Sequence, residues 1–467
     1  MKKLFTSFLL LVASASFVFS QHEFDKWIFG NGLGIDFTSG TPTVISSTIN
    51  GWDNTASIAD SLGNLLFFTN GEKIYDKNGN LMPNGNGLYG DSTGGNSATI
   101  LKQPGNDSLY YVFTNDDGFT NVYGFGYSVV NMNLNGGLGD VVAAQKNVPV
   151  LANNTEKVVP ILHGDGTNIW IVTHENGNNT FRAYLLTPVG FQTTPIVSSV
   201  GSSYTGGSDF LGQLTVNKQG NRLAVALYSA GKIELLDFNN YLGFVSNPIT
   251  ITGYNEAIGI EFSPDGSKLY ETGLLATDIV QFDLSTYTQS AIANSATTVG
   301  IIPASWATYR GGYMQLGPDD KIYVVPTFSS NIGVIANPNT LGNGCNYNGT
   351  AINLSPKTVD AGLVSKIGVP KPSCVIQIVN EIKVVADNDT RLRIYPNPTN
   401  GLINVAYANG NLYDIAVYDV EGKLISEKKG ERNTAIINVN GMPRGTYLIK
   451  ITDKTDNTEI TKRVVLQ

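Results

Sequence analysis

The stretch Ser263-Pro264-Asp265-Gly266-Ser267-Lys268 separates two apolar segments, Ala257–Phe262 before it and Leu269-Tyr270 after it. Its composition favours a tight turn, because Pro fixes φ, the Asp side chain accepts backbone hydrogen bonds, and Gly adopts positive φ without steric cost. The apolar residues on either side are typical of buried strands. The stretch therefore predicts an inner strand, a turn and a second strand of one antiparallel sheet.

The same pattern occurs six times along the chain. A turn rich in Gly, Asp and Asn runs directly into a hydrophobic strand at 61–68, 105–113, 164–172, 219–227, 263–270 and 317–325. Third strands follow in several copies, at 232–238, 278–284 and 331–335. The spacing is irregular and averages roughly 50 residues, which is typical of the four-stranded blades of a β-propeller. We therefore predict an all-β propeller over residues 21–379.

The number of blades depends on how the two ends of this region meet. Trp27–Gly30 and Gly34–Phe37 are typical of a second and a third strand that lack an inner strand. Gly362–Ile367, far along the chain, supplies a mostly apolar segment that fits the missing position. Joining both ends in one blade removes a sheet edge that would otherwise be exposed. We therefore favour seven blades, with a six-bladed ring and decorated ends as the alternative.

The composition agrees with an extracellular all-β protein. Charged residues make up 15% of the chain, which contains 51 Gly, 22 Tyr and 20 Phe. The net charge is −8, and Lys and Arg form no basic stripe, which argues against nucleic acid as a partner. The two cysteines, Cys345 and Cys374, form either one disulfide in an exported chain or two buried thiols.

Residues 1–20 have the pattern of a secretory signal peptide. Lys2 and Lys3 precede an apolar run, Leu4–Phe19, and Ser20 is a small residue suited to a cleavage site. The run is shorter than the about 20 residues that a membrane-spanning helix needs. Gln21 rather than Cys follows, which argues against a lipoprotein. We expect the mature protein to have no transmembrane segment.

The last part of the chain, 391–467, predicts a separate, small immunoglobulin-like β-sandwich of about seven short strands. Pro396 and Pro398 each lack a backbone donor, so we expect the segment that carries them at a sheet edge. Residues 380–390 include the run Asp387-Asn388-Asp389 and little apolar material. This composition predicts an exposed linker between the two domains.

Four segments of this sandwich resemble the motifs of the type A sorting domain of type IX secretion cargo in the Bacteroidetes. They are Tyr395–Gly401, Val417–Lys423, Pro443–Ile451 and Lys462–Gln467. The resemblance implies recognition by the type IX secretion machinery and a surface sortase, and a secreted or outer-surface location reached through the periplasm. The candidate sorting residues are Tyr395, Pro396, Asn397, Pro398, Gly401, Gly422, Gly445 and Lys462. An immunoglobulin-like adhesion module without an export role is the alternative.

The first region also resembles a propeller found in secreted Bacteroidetes proteins. The segments that carry this resemblance are Trp27–Gly32, Leu81–Gly85, Asn135–Asp140 and the turn Ser263–Gly266. The resemblance implies a fold and an extracellular location, and it implies no reaction.

The sequence contains no recognisable catalytic motif, so we assign no catalytic residue. Of the three histidines, His22 lies beside the mature N-terminus and is expected to be disordered. His163 and His174 end successive antiparallel strands, so we expect them at opposite ends of one blade. The pair His174-Glu175, a general base with an orienting carboxylate, is the alternative.

We assign no metal site either, although calcium stays open as a cofactor. Asp76–Asn80 has the first half of an oxygen-ligand calcium loop, but the later Glu is missing and an ordinary hairpin turn is favoured. The loops at 115–118 and 319–320 are also acidic. Glu261 and Asn217 lie on or near inner strands, where some propellers hold calcium on their axis.

Two functions fit these observations. The favoured one is a surface binding or adhesion protein whose loops, such as Gly201–Gly207, bind a glycan, a peptide or a matrix component. A flexible connection is the alternative for that loop. The second function is a secreted hydrolase or lyase acting on extracellular polymers. It would need acidic residues and a His, for example Glu261 and His163, to meet in the central funnel, whereas an axis lined by apolar and small residues would favour the binding protein.

Overall fold

The computed structural model describes residues 22–119, 122–303, 309–365, 392–399, 401–407, 411–419, 423–440, 442–455 and 458–466. The predicted signal peptide and linker lie outside these ranges, as does Cys374. The chain divides into two compact units, Met1–Ser373 and Cys374–Gln467. Within the described ranges, no helix combines the length and the apolar character that crossing a bilayer requires.

The first unit contains seven antiparallel sheets, which we number as blades in chain order. Blade 1 comprises β1 (Lys26–Phe29), β2 (Asn31–Asp36) and β3 (Thr43–Asn50). Blade 2 comprises β4 (Ala56–Ala59), β5 (Leu65–Thr69), β6 (Lys73–Asp76) and β7 (Leu81–Asn86). Blade 3 comprises β8 (Ala98–Lys102), β9 (Leu109–Asn115), β10 (Phe125–Asn131), β11 (Asp140–Val141) and β12 (Val148–Leu151).

The remaining four blades have four strands each. Blade 4 comprises β13 (Asn154–Leu162), β14 (Ile169–Glu175), β15 (Thr180–Thr187) and β16 (Gly190–Ser199). Blade 5 comprises β17 (Leu214–Val216), β18 (Arg222–Leu227), β19 (Lys232–Asn239) and β20 (Phe244–Thr252). Blade 6 comprises β21 (Ala257–Phe262), β22 (Lys268–Gly273), β23 (Asp278–Asp283) and β24 (Thr297–Ile301). Blade 7 comprises β25 (Gly311–Leu316), β26 (Ile322–Pro326), β27 (Asn331–Ile335) and β28 (Tyr347–Asn353).

Helix is confined to short pieces in the described part of the chain. They are α1 (Gln289–Asn294) and three 3₁₀ turns at Asn135–Gly137, Ala143–Gln145 and Gly342–Cys345. The predicted all-β fold class is confirmed.

All six predicted turns connect the first and second strands of a blade. The turn between β21 and β22 shows why its chemistry recurs. The Asp265 carboxylate accepts hydrogen bonds from Ser263 Oγ at 2.7 Å and from the Ser267 N–H at 2.9 Å, and Gly266 adopts φ +72°. Because the side chain satisfies the turn backbone, the next strand begins at once.

The far end of the first unit lies beside blade 1. The Thr55 N–H donates to Leu363 O at 3.0 Å, and Thr55 O accepts from the Ser365 N–H at 2.7 Å. The side chains of Leu363 and Val364 pack in one apolar cluster with blade 1 residues that include Trp27. The two ends of this region therefore meet, and the ring has seven blades. Within the described residues, however, the closing segment bonds to Thr55, just before β4 of blade 2, and not to β1 as the sequence predicts.

The closing segment is less regular than the inner strand that we predict there. Only one isolated parallel bridge, between Val364 and Thr55, is found for the described part of this segment. A Cβ at Gly362 would lie 2.3 Å from Asn54 Oδ1 and 2.7 Å from Asn54 N. The segment therefore approaches the neighbouring backbone closely, at a distance that only Gly allows. Residues 366–367 of the predicted strand lie outside the described ranges.

Apolar clusters fill the spaces between neighbouring blades. The cluster between blades 4 and 5 contains Val159, Ile161, Trp170, Val172, Val216, Leu223, Val225 and Leu236. Inner strands face such a cluster on both sides, and all six residues of β21 are buried. This explains why the inner strands read as continuous apolar runs without alternation.

The second unit has two sheets around one core. Its strands are β29 (Leu392–Tyr395), β30 (Leu402–Tyr407), β31 (Leu412–Tyr418), β32 (Leu424–Arg432), β33 (Thr434–Asn438), β34 (Gly445–Asp453) and β35 (Glu459–Leu466). One sheet has the order β29-β30-β33 and the other the order β32-β31-β34-β35. Alternate residues of both sheets form a common apolar cluster, as in a β-sandwich. β29 is an edge strand, as the prolines that follow it predict.

Candidate functional site

Strand order gives the propeller two different faces. The six turns between first and second strands lie on one face, which we call the turn face. The loops between second and third strands, and the connections from each blade to the next, lie on the opposite face, which we call the loop face. This follows because successive strands of each blade are antiparallel.

Exposed aromatic side chains concentrate on the loop face. Among the described residues of the first unit seven aromatic side chains are exposed, and the loop face carries five of them: Trp52, Tyr89, Phe119, Tyr123 and Tyr309. Tyr89 stacks on Tyr123 with ring centroids 3.9 Å apart, and Trp52 meets Phe328 edge-on at 5.2 Å. A ring held by a second ring presents apolar surface with little freedom to lose on binding.

Carboxylates lie among these rings. Asp53 and Asp91 lie in connections between blades, Asp116 in the β9–β10 loop, and Asp360 in the closing connection. The ion pairs found in the described part of the chain include none of these four residues. Desolvation and the charges of Glu156, Asp360 and Asp91 raise the pKa of Asp53 well above its usual range. The loop face therefore brings acidic groups together without ion-paired cationic side chains at these four positions, and their proximity favours the neutral form of Asp53.

The turn face differs in this respect. Two of its acidic residues pair with lysines, in Lys218–Asp320 at 2.7 Å and Lys268–Asp283 at 3.2 Å. These two pairs balance the charge locally.

Three loop-face carboxylates are close enough to share a cation. One oxygen from each of Asp91, Asp116 and Asp117 lies within 4.8 Å of the others. Oxygen donors of this kind suit Ca²⁺. Each carboxylate also bonds to its own loop, for example Asp116 Oδ2 to the Tyr123 N–H at 2.7 Å, so loop structure alone accounts for the cluster. The acidic stretch at 115–118 is predicted from the sequence, whereas Asp91 is not.

The segment Asp76–Asn80 forms the favoured hairpin turn between β6 and β7. Asp76 Oδ1 accepts hydrogen bonds from the N–H groups of Asn78 at 2.8 Å and Asn80 at 3.0 Å, and Gly79 has φ +82°. The carboxylate thus serves the turn backbone.

Glu156 lies at the inner end of the acidic surface, on the bulged start of β13. It is 3% exposed and accepts hydrogen bonds from the N–H groups of Gly95 at 2.5 Å and Gly118 at 3.0 Å. Burial raises the pKa of Glu156, although both N–H donors and the Lys157 charge oppose this shift. A Cβ at Gly95 would lie 2.1 Å from Tyr313 Oη and 2.9 Å from Glu156 Oε2, so this close approach requires Gly.

Lys157 is equally buried but joins two blades. Its Nζ donates to the carbonyl oxygens of Phe210 at 3.2 Å and Gly212 at 2.8 Å, and also to that of Leu211. Burial lowers the pKa of Lys157. Three carbonyl oxygens replace water around the ammonium group, so this side chain fixes the connection that enters blade 5.

A cavity of about 20 Å³ lies on the axis beside these two residues. It has room for one water molecule. Its polar lining residues lie at the inner strands of blades 2 to 5 or just before them. They are Asn54, Asn96, Glu156, Lys157, Gln213 and Thr215. The lining of this cavity is mostly polar, so it is not the apolar lining that would favour a binding protein.

The two residues considered as axis ligands serve the backbone. Glu261 is 1% exposed and accepts hydrogen bonds from Thr215 Oγ1 at 3.2 Å and the Leu316 N–H at 3.1 Å. Asn217 Oδ1 accepts from the Arg222 N–H at 3.0 Å in the turn before β18. Both side chains hold neighbouring segments together.

The histidines of blade 4 do not meet. His163 lies on the turn face, with Nε2 at 3.1 Å from Tyr241 O. His174 is fully buried near the loop-face end of β14 and stacks on Tyr204 with ring centroids 3.5 Å apart. Burial lowers the pKa of His174 to about 3, so its imidazole is a poor base at neutral pH. The predicted separation of the two histidines is confirmed. The lowered pKa of His174 argues against the alternative in which His174-Glu175 acts as a general base.

His22 differs from the expectation of disorder. It lies within the described residues, and its ring contacts the Asp25 carboxylate. The Asp25 N–H also donates to His22 O at 3.1 Å, so a local turn fixes this residue.

The loop Gly201–Gly207 is tied to the blade beneath it. The Ser202 N–H donates to Glu234 Oε1 at 3.0 Å, and the Gly206 N–H donates to Asp209 Oδ2 at 2.8 Å. Tyr204 is 1% exposed and cannot contact a ligand from this position. The exposed aromatic residues lie in other loops, which were not predicted as binding loops from the sequence. The signal that could have identified them is an aromatic residue in a segment between two predicted strands.

The candidate sorting residues bring distant parts of the second unit together. Asn397 Nδ2 donates to Arg463 O at 2.9 Å, and Asn397 Oδ1 accepts from the Val465 N–H at 2.9 Å. The first and last motifs therefore meet, with Tyr395 at the end of β29 and Lys462 on β35.

The other sorting residues lie at the ends of strands. Pro396 and Pro398 are exposed after β29, Gly401 precedes β30, and Gly445 begins β34. Gly422 lies outside the described residues.

Cys345 is buried in the cluster between blades 6 and 7. Because Cys374 lies outside the described ranges, the disulfide between them stays a prediction.

The geometry defines an all-β protein with a seven-bladed propeller and a terminal two-sheet unit. Residues 393–467 match the family of secretion system C-terminal sorting domains, so this second unit is a type IX sorting domain. The protein is therefore a secreted or outer-surface protein. None of the curated proteins matches the chain.

Several solved structures share features of the fold at low identity. A candidate 6-phosphogluconolactonase from Bacteroides fragilis is 12% identical with a TM-score of 0.44, over 74% of this chain and 98% of that one. Hsv2 of Kluyveromyces lactis is 9% identical with a TM-score of 0.39, over 67% and 90%. PorZ, a surface component of the type IX secretion system of Porphyromonas gingivalis, is 11% identical with a TM-score of 0.33, over 96% and 59%. These similarities assign neither a ligand nor a reaction to this chain.

Proposed function

We propose that this protein is exported by the type IX secretion system and that its propeller binds an extracellular ligand through the loop face. The ligand classes that fit are a glycan, a peptide or a matrix component. Export rests on the match of residues 393–467 to the sorting domain family. Binding rests on one observation, the exposed aromatic residues that lie on the loop face beside the acidic side chains of Asp53, Asp91, Asp116 and Asp360.

These aromatic residues matter energetically. Trp52 is 51% exposed and Phe119 is 72% exposed. Covering apolar area contributes roughly 25 cal/mol per Å² removed from water. Rings with adjacent carboxylates supply both apolar contact and hydrogen-bond acceptors, which is the combination found at recognition surfaces.

The hydrolase or lyase alternative lacks its required cluster. Among the described residues, His163 is on the turn face, His174 is buried with a lowered pKa, and Glu261 is held by backbone donors. We therefore keep the binding protein as the proposed function.

The test uses the mature chain from residue 21 on glycan and peptide arrays, followed by titration of any ligand found. We expect Trp52→Ala and Phe119→Ala each to weaken binding about tenfold, since hot-spot aromatic side chains contribute on the order of 1 to 2 kcal/mol or more. Tyr241→Ala is the matched control, because this exposed ring lies on the turn face. Equal affinity for all three variants and the wild type would contradict the loop-face assignment.

A further inference from the structure

The sorting domain contains a groove that its sequence motifs jointly form. The groove runs between β29, the edge of one sheet, and β35, the edge of the other, and has a volume of about 450 Å³. Arg393, Tyr395 and Asn397 line one side, and Lys462 and Arg463 line the other. The volume falls within the about 300–1,000 Å³ of ordinary ligand sites.

Asn397 closes the groove at one end. Its side chain bonds to Arg463 O and the Val465 N–H, and the Thr399 N–H donates to Val465 O at 2.9 Å. This clamp aligns residues 397–399 with the last residues of β35. Beyond the clamp, β29 and the first half of β35 keep free edges, because within the described residues each pairs with only one strand.

Free edges of this kind bind extended peptide. An edge strand presents backbone N–H and C=O groups that a further strand can pair with. Addition of a strand gives affinity through the main chain, and the side chains along the groove select the sequence. The exposed Tyr395 ring, 49% accessible, offers an apolar contact beside β29.

The charges of the groove select an acidic occupant. Arg393, Lys462 and Arg463 line it, and no Asp or Glu does. None of the ion pairs found in the described part of the second unit includes any of these three residues. The rim therefore has three cationic groups that remain available to carboxylates.

We propose that this groove binds an extended acidic peptide segment of a partner in the export machinery, which adds as a strand beside β29 and places its carboxylates against Arg393, Lys462 and Arg463. The proposal rests on the proposed export function and deepens it by assigning the surface and the chemistry of the partner. It also explains why the first and last motifs of the domain, far apart in sequence, belong to one functional unit.

The binding test uses the full mature chain and a fluorescent ten-residue peptide of alternating Glu and Val, with a Lys-Val peptide as comparison. We expect the Glu-Val peptide to bind, to bind more weakly at high salt, and to lose at least tenfold in affinity with Arg393→Glu/Lys462→Glu. The matched control is Lys428→Glu/Lys429→Glu, which reverses two exposed lysines of β32. A salt-insensitive affinity, or one equal for both peptides, would overturn the proposal without relying on any variant.

Two further outcomes separate this proposal from others. Preferential binding to vesicles of anionic phosphatidylglycerol, with no affinity for the Glu-Val peptide, would overturn the peptide assignment in favour of a lipid surface. In cells, normal export of Arg393→Glu/Lys462→Glu, while a chain cut before Tyr395 is retained, would refute the groove alone. Export of the cut chain would instead refute the proposed function itself.

Discussion

His174 is a buried imidazole that links the stability of the propeller to pH. It is fully buried, its Nδ1 bonds to Glu175 O at 2.6 Å, and its Nε2 has no partner within the described residues. Burial, together with the nearby positive charge of Lys157, lowers its pKa from 6.5 to about 3. Protonation in the folded state would place an unsolvated charge against Tyr204, so the fold keeps this ring neutral.

We predict that His174 reduces propeller stability as the solution becomes acidic. Its contribution is complete above pH 6.5, where both states are neutral, and is lost as pH falls toward 3, since the unfolded chain takes up the proton first. At about 1.4 kcal/mol per pH unit, the loss between pH 7 and 5 is roughly 2 kcal/mol. Urea unfolding of His174→Gln at both pH values should show a smaller loss than the wild type.

His163→Gln is the control for this measurement, because His163 lies in the same blade but on the turn face, away from His174. The control should retain the wild-type loss of stability between the two pH values. A His174→Gln variant with the same pH dependence as the wild type would show that other groups cause it. Neither substitution should change ligand binding, since both residues have structural contacts.

The closing segment beside blade 1 is the element on which ring integrity depends. Leu363 is 1% exposed and packs with Trp27 and Phe29 of blade 1 and Tyr323 of blade 7. It thus joins the first and last blades of the ring across more than three hundred residues of chain. Contacts of this kind close a ring whose first sheet has only three strands.

We predict that Leu363→Ala lowers the free energy of unfolding of the propeller by about 2–5 kcal/mol, the usual cost of truncating a buried Leu. Urea unfolding followed by Trp fluorescence measures the change, because Trp27 lies in the same cluster. Leu275→Ala is the matched control, since Leu275 is 42% exposed on the loop face and should change stability little. Equal stabilities of the two variants would show that this segment does not stabilise the closed ring.

Turns and strands are predictable from the sequence where the residues that determine them are close together in the chain. Turns such as Ser263–Lys268 contain their own capping carboxylate and glycine, so all six are predictable. The loop-face site is different, because Asp53 and Asp91 lie in two separate connections and Glu156 in blade 4, and the three come close only when the ring forms. The strands are therefore predictable from the sequence, whereas most residues of the candidate site are not.

At the scale of the whole molecule, the two units have separate apolar cores. The core of the second unit contains only residues from 392 onward, and the clusters of the first unit contain only residues up to 364. Each unit therefore has what it needs to fold by itself. The sorting domain can therefore direct export without altering the fold of the propeller.

We predict that a chain cut before Tyr395 accumulates in the periplasm while its propeller remains folded. The cut removes the groove of the sorting domain and the clamp formed by Asn397, but leaves every apolar cluster of the first unit intact. Cell fractionation measures the location, and resistance to limited proteolysis measures the fold. A control with Lys428→Glu/Lys429→Glu in the full chain should be exported normally.

The converse experiment tests whether the second unit is sufficient. Residues 379–467, fused behind a reporter with its own signal peptide, should direct that reporter to the cell surface or the medium. The same fusion with Arg393→Glu/Lys462→Glu should remain in the periplasm, because the groove then repels an acidic partner. If the cut chain reaches the surface as efficiently as the full chain, the second unit is an ordinary sandwich, and the export assignment is wrong.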